Sequence, residues 1–162
     1  MYLPRIFNSL NLSTEERYRA EPLELNEKTK KFGLVLTPQD IELMMAVRTQ
    51  ALNSYGRVEL NIEVTNGIIE LFSSSSFIDQ ENYTETLNEL YEIFHYLKNE
   101  TEDRISDRQL LHKMKELFEE DCEGALELLK SRLEEYAEKF RSELTQNESL
   151  YEGEDDQWNL KI

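Results

Sequence analysis

The chain has 162 residues, of which 39% are hydrophobic and 32% are charged, and its formal net charge at pH 7 is −16. This length and hydrophobic content fit one folded domain, since a chain of this size buries roughly 70% of its unfolded surface. The charge is segregated, because residues 1–57 carry a net +1 and residues 58–162 carry −17. The acidic part would repel phosphate groups, which excludes nucleic acids and anionic membranes as partners.

The N-terminal region, residues 1–36, is predicted to be an arm with one short helix. Ser13 or Thr14 can cap a helix through Glu15–Ala20, and Pro22 is expected to end it. The first ten residues, MYLPRIFNSL, are too short and too interrupted for a secretory signal. Cys122 is the only cysteine, so no internal disulfide can form, which is typical of a reducing compartment. The cytoplasm is therefore the expected location.

The next element is a strongly signalled helix. Thr37 can accept a hydrogen bond from a free amide, Pro38 suits the first helical position, and Asp40 faces the positive end of the helix dipole. Gly56 is a suitable C-terminal stop. Between these signals lies an apolar face made of Ile41, Met44, Met45, Ala51, Leu52 and Tyr55.

Residues 58–76 have two interpretations. Val58, Leu60, Ile62 and Val64 alternate with polar residues, as in a strand, and Asn66-Gly67 could form the turn of a small hairpin near residues 58–72. The later apolar residues instead fit one face of a helix. We favour a helix over about residues 61–74, because a lone hairpin is only marginally stable.

Three further helices follow, capped by Asp79 and by Ser106 with Gln109, and ended or redirected near Gly124. The last helix is expected to be about 20 residues long. Alternating spacings of three and four residues predict a shared core of Leu87, Leu90, Phe94, Leu111, Leu117, Leu129, Leu133 and Tyr136.

The predicted fold is mainly all-α, an antiparallel bundle of about four to five helices. We divide the chain into an arm at 1–36, a bundle at 37–145 and an acidic tail at 146–162. The tail combines acids with Tyr151 and Trp158, and Trp158 is the only tryptophan. Purely solvating tails seldom need such residues, so we expect the tail to dock onto its own bundle or into a partner.

The one recognisable metal-ligand pattern is incomplete. Glu92 and His95 form a Glu-x-x-His pair, but His112 has Gln109 three residues before it, so the second pair of a di-iron bundle is missing. Glu92, His95 and His112 remain candidate ligands of a one-metal site, although no bound metal or other cofactor is expected. No catalytic residue is assigned.

Several segments carry a family resemblance: Leu36–Asp40, Ser54–Leu60, Gln80–Tyr83, Tyr96–Thr101 and Cys122–Gly124. The stretch from Phe32 to about Phe140 resembles an uncharacterised bacterial family, classed as a domain of unknown function. The resemblance implies a bacterial, cytoplasmic protein and transfers no activity. The segments Ser54–Leu60 and Gln80–Tyr83 fall at helix boundaries, where they can serve as caps or as one face of an unknown site.

Three functions are compatible with these features. The favoured one is a non-enzymatic interaction or adaptor module, whose partner is another protein and which is itself a monomer or weak homodimer. The alternatives are an enzyme with a dispersed carboxylate and histidine site that depends on a metal, and a sensor of a small ligand.

Overall fold

The computed structural model describes residues 13–160, and the side chains of residues 13–146. No β-strand occurs between residues 13 and 160, so the all-α prediction is confirmed. Six of the helices have ten or more residues, slightly more than the four to five expected. The elements are α1 Thr14–Glu24, α2 Asn26–Thr29, a 3₁₀ turn Lys30–Phe32, α3 Pro38–Ser54, α4 Glu63–Phe72, α5 Tyr83–Glu100, α6 Asp107–Glu119 and α7 Leu126–Leu160.

Helix α5 is the centre of the fold, because it packs against α3, α4 and α7. Its apolar residues recur at the predicted spacing and are almost fully buried. Helix α6 packs between α4 and α7. The predicted core is confirmed for Leu87, Leu90, Phe94, Leu111, Leu117, Leu129 and Leu133, whereas Tyr136 is partly buried at the core's edge.

The possible hairpin near residues 58–72 is wrong, and the favoured helix is confirmed with the bounds Glu63–Phe72. The helical conformation places Val64, Ile68, Ile69 and Phe72 on one buried face. A strand would have turned alternate residues of this segment toward solvent. Burial of the continuous apolar face therefore decides the conformation.

The helix-start signals are mostly confirmed. Thr37 Oγ1 accepts from the Asp40 amide at 3.1 Å, and the Asp40 carboxylate accepts from the Thr37 amide at 2.8 Å. Ser106 caps α6 by accepting from the Gln109 amide at 3.2 Å. The prediction for Asp79 was wrong, because α5 begins only after Asn82. Instead, the Asp79 carboxylate accepts from the backbone amide of Asn82, and Asn82 Oδ1 accepts from the backbone amide of Asp79.

The first helix is longer than predicted and is attached to the body. Ser13 caps it, but Pro22 lies inside it rather than ending it, and the Pro22 ring is buried. The extended segment after the 3₁₀ turn buries Leu34 and Leu36 in the core. Gln80 fixes the exposed Val35 between them, since its amide accepts from Val35 N at 2.8 Å and donates to Val35 O at 2.9 Å.

The last helix continues to Leu160, well beyond the 20 residues expected. The side chains of Tyr151 and Trp158 lie outside the part of the chain whose side chains are described. No helix among the described residues is long and apolar enough to cross a membrane.

Candidate functional site

The loop that joins α3 to α4, residues 55–62, covers a cluster of buried polar side chains. Glu59 points inward from this α3–α4 loop. One oxygen of its carboxylate, Oε1, accepts from the Tyr91 hydroxyl and lies 3.0 Å from His95 Nε2. In the tautomer with its proton on Nε2, His95 donates to this oxygen. His95 is 2% exposed, so Glu59 is its polar anchor within the core.

Arg48 of α3 is the cation of this cluster. It is 9% exposed, its Nε lies 4.0 Å from Glu59 Oε1, and its Nη2 donates to the backbone oxygens of Glu59 at 3.2 Å and Asn61 at 3.1 Å. The guanidinium also lies 4.8 Å from the centre of the Tyr18 ring, in cation–π geometry. Arg48 thus contacts both the Glu59 side chain and the backbone of the α3–α4 loop.

Further contacts fix the two ends of the α3–α4 loop. Gly56 has φ +61°, which allows the chain to turn directly after α3. Arg57 forms a two-point hydrogen bond to the Asp103 carboxylate, and the Arg57 guanidinium lowers the pKa of that carboxyl. At the other end, the Tyr18 hydroxyl donates to the Leu60 carbonyl at 2.6 Å. Helices α1, α3 and α5 therefore all contribute to holding this loop.

Asp103 is itself positioned by a buried lysine. Lys98, near the end of α5, donates to the Ile105 carbonyl at 2.6 Å and lies 2.8 Å from Asp107 and 3.8 Å from Asp103. This lysine ties the turn after α5 to the beginning of α6. The anchor for Arg57 is consequently linked to α5 and to the start of α6.

The α3–α4 loop presents two aliphatic side chains to solvent. Val58 is 83% exposed and Leu60 is 87% exposed, the highest values among the large hydrophobic residues that are exposed in the described part of the chain. They flank Glu59, whose side chain is only 14% exposed. The usual alternation is thus inverted, with the charged residue inside and its apolar neighbours outside.

Proton chemistry at the buried cluster is restricted. Burial and the hydrogen bond to Glu59 raise the pKa of Tyr91, so its hydroxyl remains protonated at neutral pH. The cavity that Tyr91 helps to line has a volume of about 10 Å³, too small for any substrate. The arrangement holds the α3–α4 loop in place.

The structure separates the three candidate metal ligands. Glu92 is exposed on α5, whereas His95 turns into the core toward Glu59. His112 is exposed on α6. No group of three or more His, Cys, Asp or Glu side chains within the described residues has a geometry that could hold a metal ion.

His112 lines a separate groove between α4 and α6. The groove has a volume of about 390 Å³ and an apolar floor that includes Val64 and Leu111. Gly67 also lines it, and a Cβ at that position would lie 3.1 Å from Leu111 Cδ1. Charged side chains border it: Glu63, Glu70, Asp107 and Arg108.

Sequence reasoning missed Arg48, Glu59 and Tyr91. Their contacts join residues far apart in the chain, with separations of 36 residues for His95–Glu59 and 32 for Tyr91–Glu59. The sequence contains one signal, because the segment Ser54–Leu60 lies at a predicted helix boundary. In the structure this segment supplies the turn at Gly56, the anchor at Arg57 and the inward carboxylate at Glu59.

Comparisons with curated proteins and with solved structures found no match. A family model described as a family of unknown function, DUF6323, matches residues 21–146. The matched stretch contains the whole α3–α4 loop together with Arg48, Tyr91 and His95. It also contains the range from Phe32 to Phe140, so the resemblance to a domain of unknown function is confirmed. The chain belongs to the DUF6323 family, whose function is unknown.

Proposed function

We propose that this protein is a non-enzymatic protein-interaction module and that the α3–α4 loop is its docking element. The observation that carries this proposal is the exposure of Val58 and Leu60 on a loop whose backbone oxygens accept hydrogen bonds from Tyr18 and Arg48. Single exposed aliphatic residues are common on protein surfaces. A pair of exposed aliphatic residues that flanks a buried carboxylate on an anchored loop is a more specific feature than a single exposed residue.

Fixation of the loop favours binding for an entropic reason. A flexible loop loses conformational freedom when it binds, whereas an anchored loop has already lost it during folding. Arg48, Tyr18 and Arg57 restrain the loop in the free protein. The area of Val58 and Leu60 that a partner removes from water can therefore contribute to affinity with little opposing entropy.

The geometry does not favour the enzyme alternative. The hydrogen-bonded set of Glu59, Tyr91 and His95 contains groups that serve in acid–base catalysis elsewhere. A general base must however lie within hydrogen-bonding reach of a bound substrate. Here all three groups contact one another beneath the loop, and the adjoining cavity is far smaller than a metabolite.

A small-ligand sensor is a second candidate, favoured by the groove between α4 and α6. Its volume of about 390 Å³ lies within the usual range for small-molecule sites. A thermal-shift screen of metabolites tests this function, with His112→Ala, which changes an exposed residue lining the groove, as the comparison variant. A ligand that stabilises the wild type and not this variant supports the sensor function.

The interaction function is tested by affinity capture from cell extract. We expect proteins recovered with the wild type to be lost with the double variant Val58→Ser/Leu60→Ser. Leu43→Ser is the matched control, because Leu43 is also exposed but lies on α3 outside the loop. Both variants should keep the wild-type melting temperature, since surface changes usually alter stability by less than about 0.5 kcal/mol. Recovery of the same proteins with all three forms would contradict the proposal.

A further inference from the structure

The groove between α4 and α6 lies between two parallel helices. A Cβ at Gly67 would lie 3.1 Å from Leu111, and the rings of Phe72 and Phe118 meet edge to face with their centroids 5.3 Å apart. Both pairs advance in the same direction along α4 and α6, so the two helices begin at the same end of the groove. Their first turns, and the positive ends of both helix dipoles, therefore lie at one mouth of this α4–α6 groove.

The floor of the α4–α6 groove is apolar and small. Val64 is 5% exposed and Leu111 is 9% exposed, and between them Gly67 contributes no side chain. The groove volume of about 390 Å³ lies near the lower end of the roughly 300–1,000 Å³ that is usual for small-molecule sites. The groove therefore suits a ligand with one short apolar group.

Two of the three carboxylates that border the groove already have cationic partners. Glu70 lies 3.3 Å from Lys28 Nζ, and Asp107 lies 2.8 Å from Lys98 Nζ. The third carboxylate belongs to Glu63, the first residue of α4, and it forms no ion pair with any residue whose side chain the structure describes. One negative charge at the mouth of the groove is thus left without a partner.

One positive charge at the same mouth is also unpaired. Arg108 lies in the first turn of α6 and lines the groove, yet it pairs with no carboxylate in the described part of the chain, Glu63 included. His112 follows four residues later on the same face of α6, and a ring N–H of its imidazole can donate to an anion. The mouth therefore offers a cation, an anion and an additional donor above an apolar floor.

We propose that the α4–α6 groove binds a free α-amino acid with an apolar side chain. The ligand carboxylate contacts Arg108 and His112, and the ligand ammonium group contacts Glu63. The ligand side chain packs on Val64 and Leu111. The inference rests on the small-ligand function of this groove, the second candidate above, and adds the class of ligand.

The two unpaired charges select a zwitterion over simpler ligands. A guanidinium binds a carboxylate through two parallel hydrogen bonds, which is why Arg108 calls for an acid group. A simple carboxylic acid would be repelled by Glu63, and a simple amine would leave Arg108 without a partner. An α-amino acid satisfies both groups at once and leaves its side chain free to cover the apolar floor.

Titration calorimetry of the full-length protein with L-leucine, L-methionine and L-phenylalanine tests the inference. We expect these amino acids to bind, and glycine and L-aspartate to bind at least about tenfold more weakly, because neither can cover the apolar floor. The desamino and decarboxylated analogues of L-phenylalanine, 3-phenylpropionate and 2-phenylethylamine, should also bind at least about tenfold more weakly than the amino acid.

Variants of the two unpaired residues test the assigned contacts. Arg108→Gln and Glu63→Gln should each weaken binding of the amino acid about tenfold. The matched controls are Arg17→Gln on α1 and Glu81→Gln in the loop before α5, which make the same changes of charge at exposed positions outside the groove. Affinity in these controls should stay within about twofold of the wild type. The four variants should keep the wild-type melting temperature.

The possible outcomes separate this inference from the function on which it rests. No binding of any apolar amino acid at millimolar concentration, analogue binding as tight as that of the amino acid, or equal weakening in groove and control variants would each overturn it. A metabolite of another class that stabilises the wild type but not His112→Ala would leave the sensor function standing with a different ligand. The absence of any ligand in both experiments would remove the sensor function as well, and capture through Val58 and Leu60 would be unaffected.

Discussion

Replacing Glu59 by alanine should destabilise the protein far more than its place in a surface loop suggests. The substitution removes the acceptor of the Tyr91 hydroxyl and of His95 Nε2, and it removes the carboxylate nearest to the buried Arg48 guanidinium. Each buried donor left without an acceptor costs about 1–3 kcal/mol, and breaking a buried ion pair costs about 3–5 kcal/mol. These terms overlap because they involve one carboxylate.

The expected total is about 2–4 kcal/mol. It lies below the sum of the separate terms because they overlap and because the loop can move and admit water to the cluster. Arg48 also keeps its bonds to the backbone oxygens of Glu59 and Asn61 if the loop stays in place. For a chain of this size the melting temperature should fall by about 5–15 °C. Glu59→Gln retains an oxygen that can accept from both donors, so its cost should be about half as large.

The assay is urea unfolding of the two Glu59 variants beside Glu81→Ala, which removes an exposed carboxylate from another loop. The control should lie within about 0.5 kcal/mol of the wild type. Arg48→Met combined with Glu59→Ala should show a coupling of at least about 1 kcal/mol, because removing the cation eliminates the uncompensated charge. If Glu59→Ala matches Glu81→Ala, or if the coupling is absent, the buried cluster does not hold the loop as described.

Three other outcomes are expected. Leu90→Ala and Leu133→Ala should each lower the free energy of unfolding by about 2–5 kcal/mol, because both side chains are completely buried, and an unmoved melting transition would contradict the core. Glu89→Gln should stabilise the protein by about 0.3 kcal/mol at pH 7 and not at pH 3. Burial and neighbouring acids raise the pKa of Glu89, so the folded state favours the protonated carboxyl. The wild type therefore loses stability as the pH rises and Glu89 ionises, whereas the Gln variant does not. Above about pH 10 the free energy of unfolding should fall with pH, and it should fall less steeply in Tyr91→Phe than in the wild type. The raised pKa of Tyr91 lets the folded state keep a proton that the unfolded state releases. Equal pH dependence of both proteins in alkaline urea titrations would refute this.

The helices of the body were predictable because their signals are local. The capping pair Thr37 and Asp40 acts within one helical turn, and the apolar residues of α5 recur at helical spacing. Pro22 misled the prediction, although it also acts locally. Its ring is buried in the structure and α1 continues to Glu24, so tertiary packing overrides the tendency of proline to end a helix.

The conformation of the α3–α4 loop was not predictable, because it depends on residues far away in the chain. The alternation of Val58, Glu59 and Leu60 suggested a strand with its apolar residues inside. In the structure Arg48, Tyr91 and His95 supply partners for a buried carboxylate, so Glu59 turns inward and the aliphatic residues turn out. His95 likewise turns away from Glu92, the neighbour with which the sequence had paired it. The directions of the Glu59 and His95 side chains cannot be predicted from residue spacing within one helix or strand.

The combination of a buried charged cluster with exposed aliphatic residues supports the proposed binding role of the α3–α4 loop. Apolar residues in place of a buried ion pair often stabilise a fold equally well or better, so stability alone gives little reason to retain Arg48 and Glu59. Stability gives no reason either to hold Val58 and Leu60 in water. Natural chains tend to depart from such local rules at functional sites. Here Glu59, Val58 and Leu60 all lie within one short loop, and the inward turn of Glu59 places the side chains on either side of it in solvent.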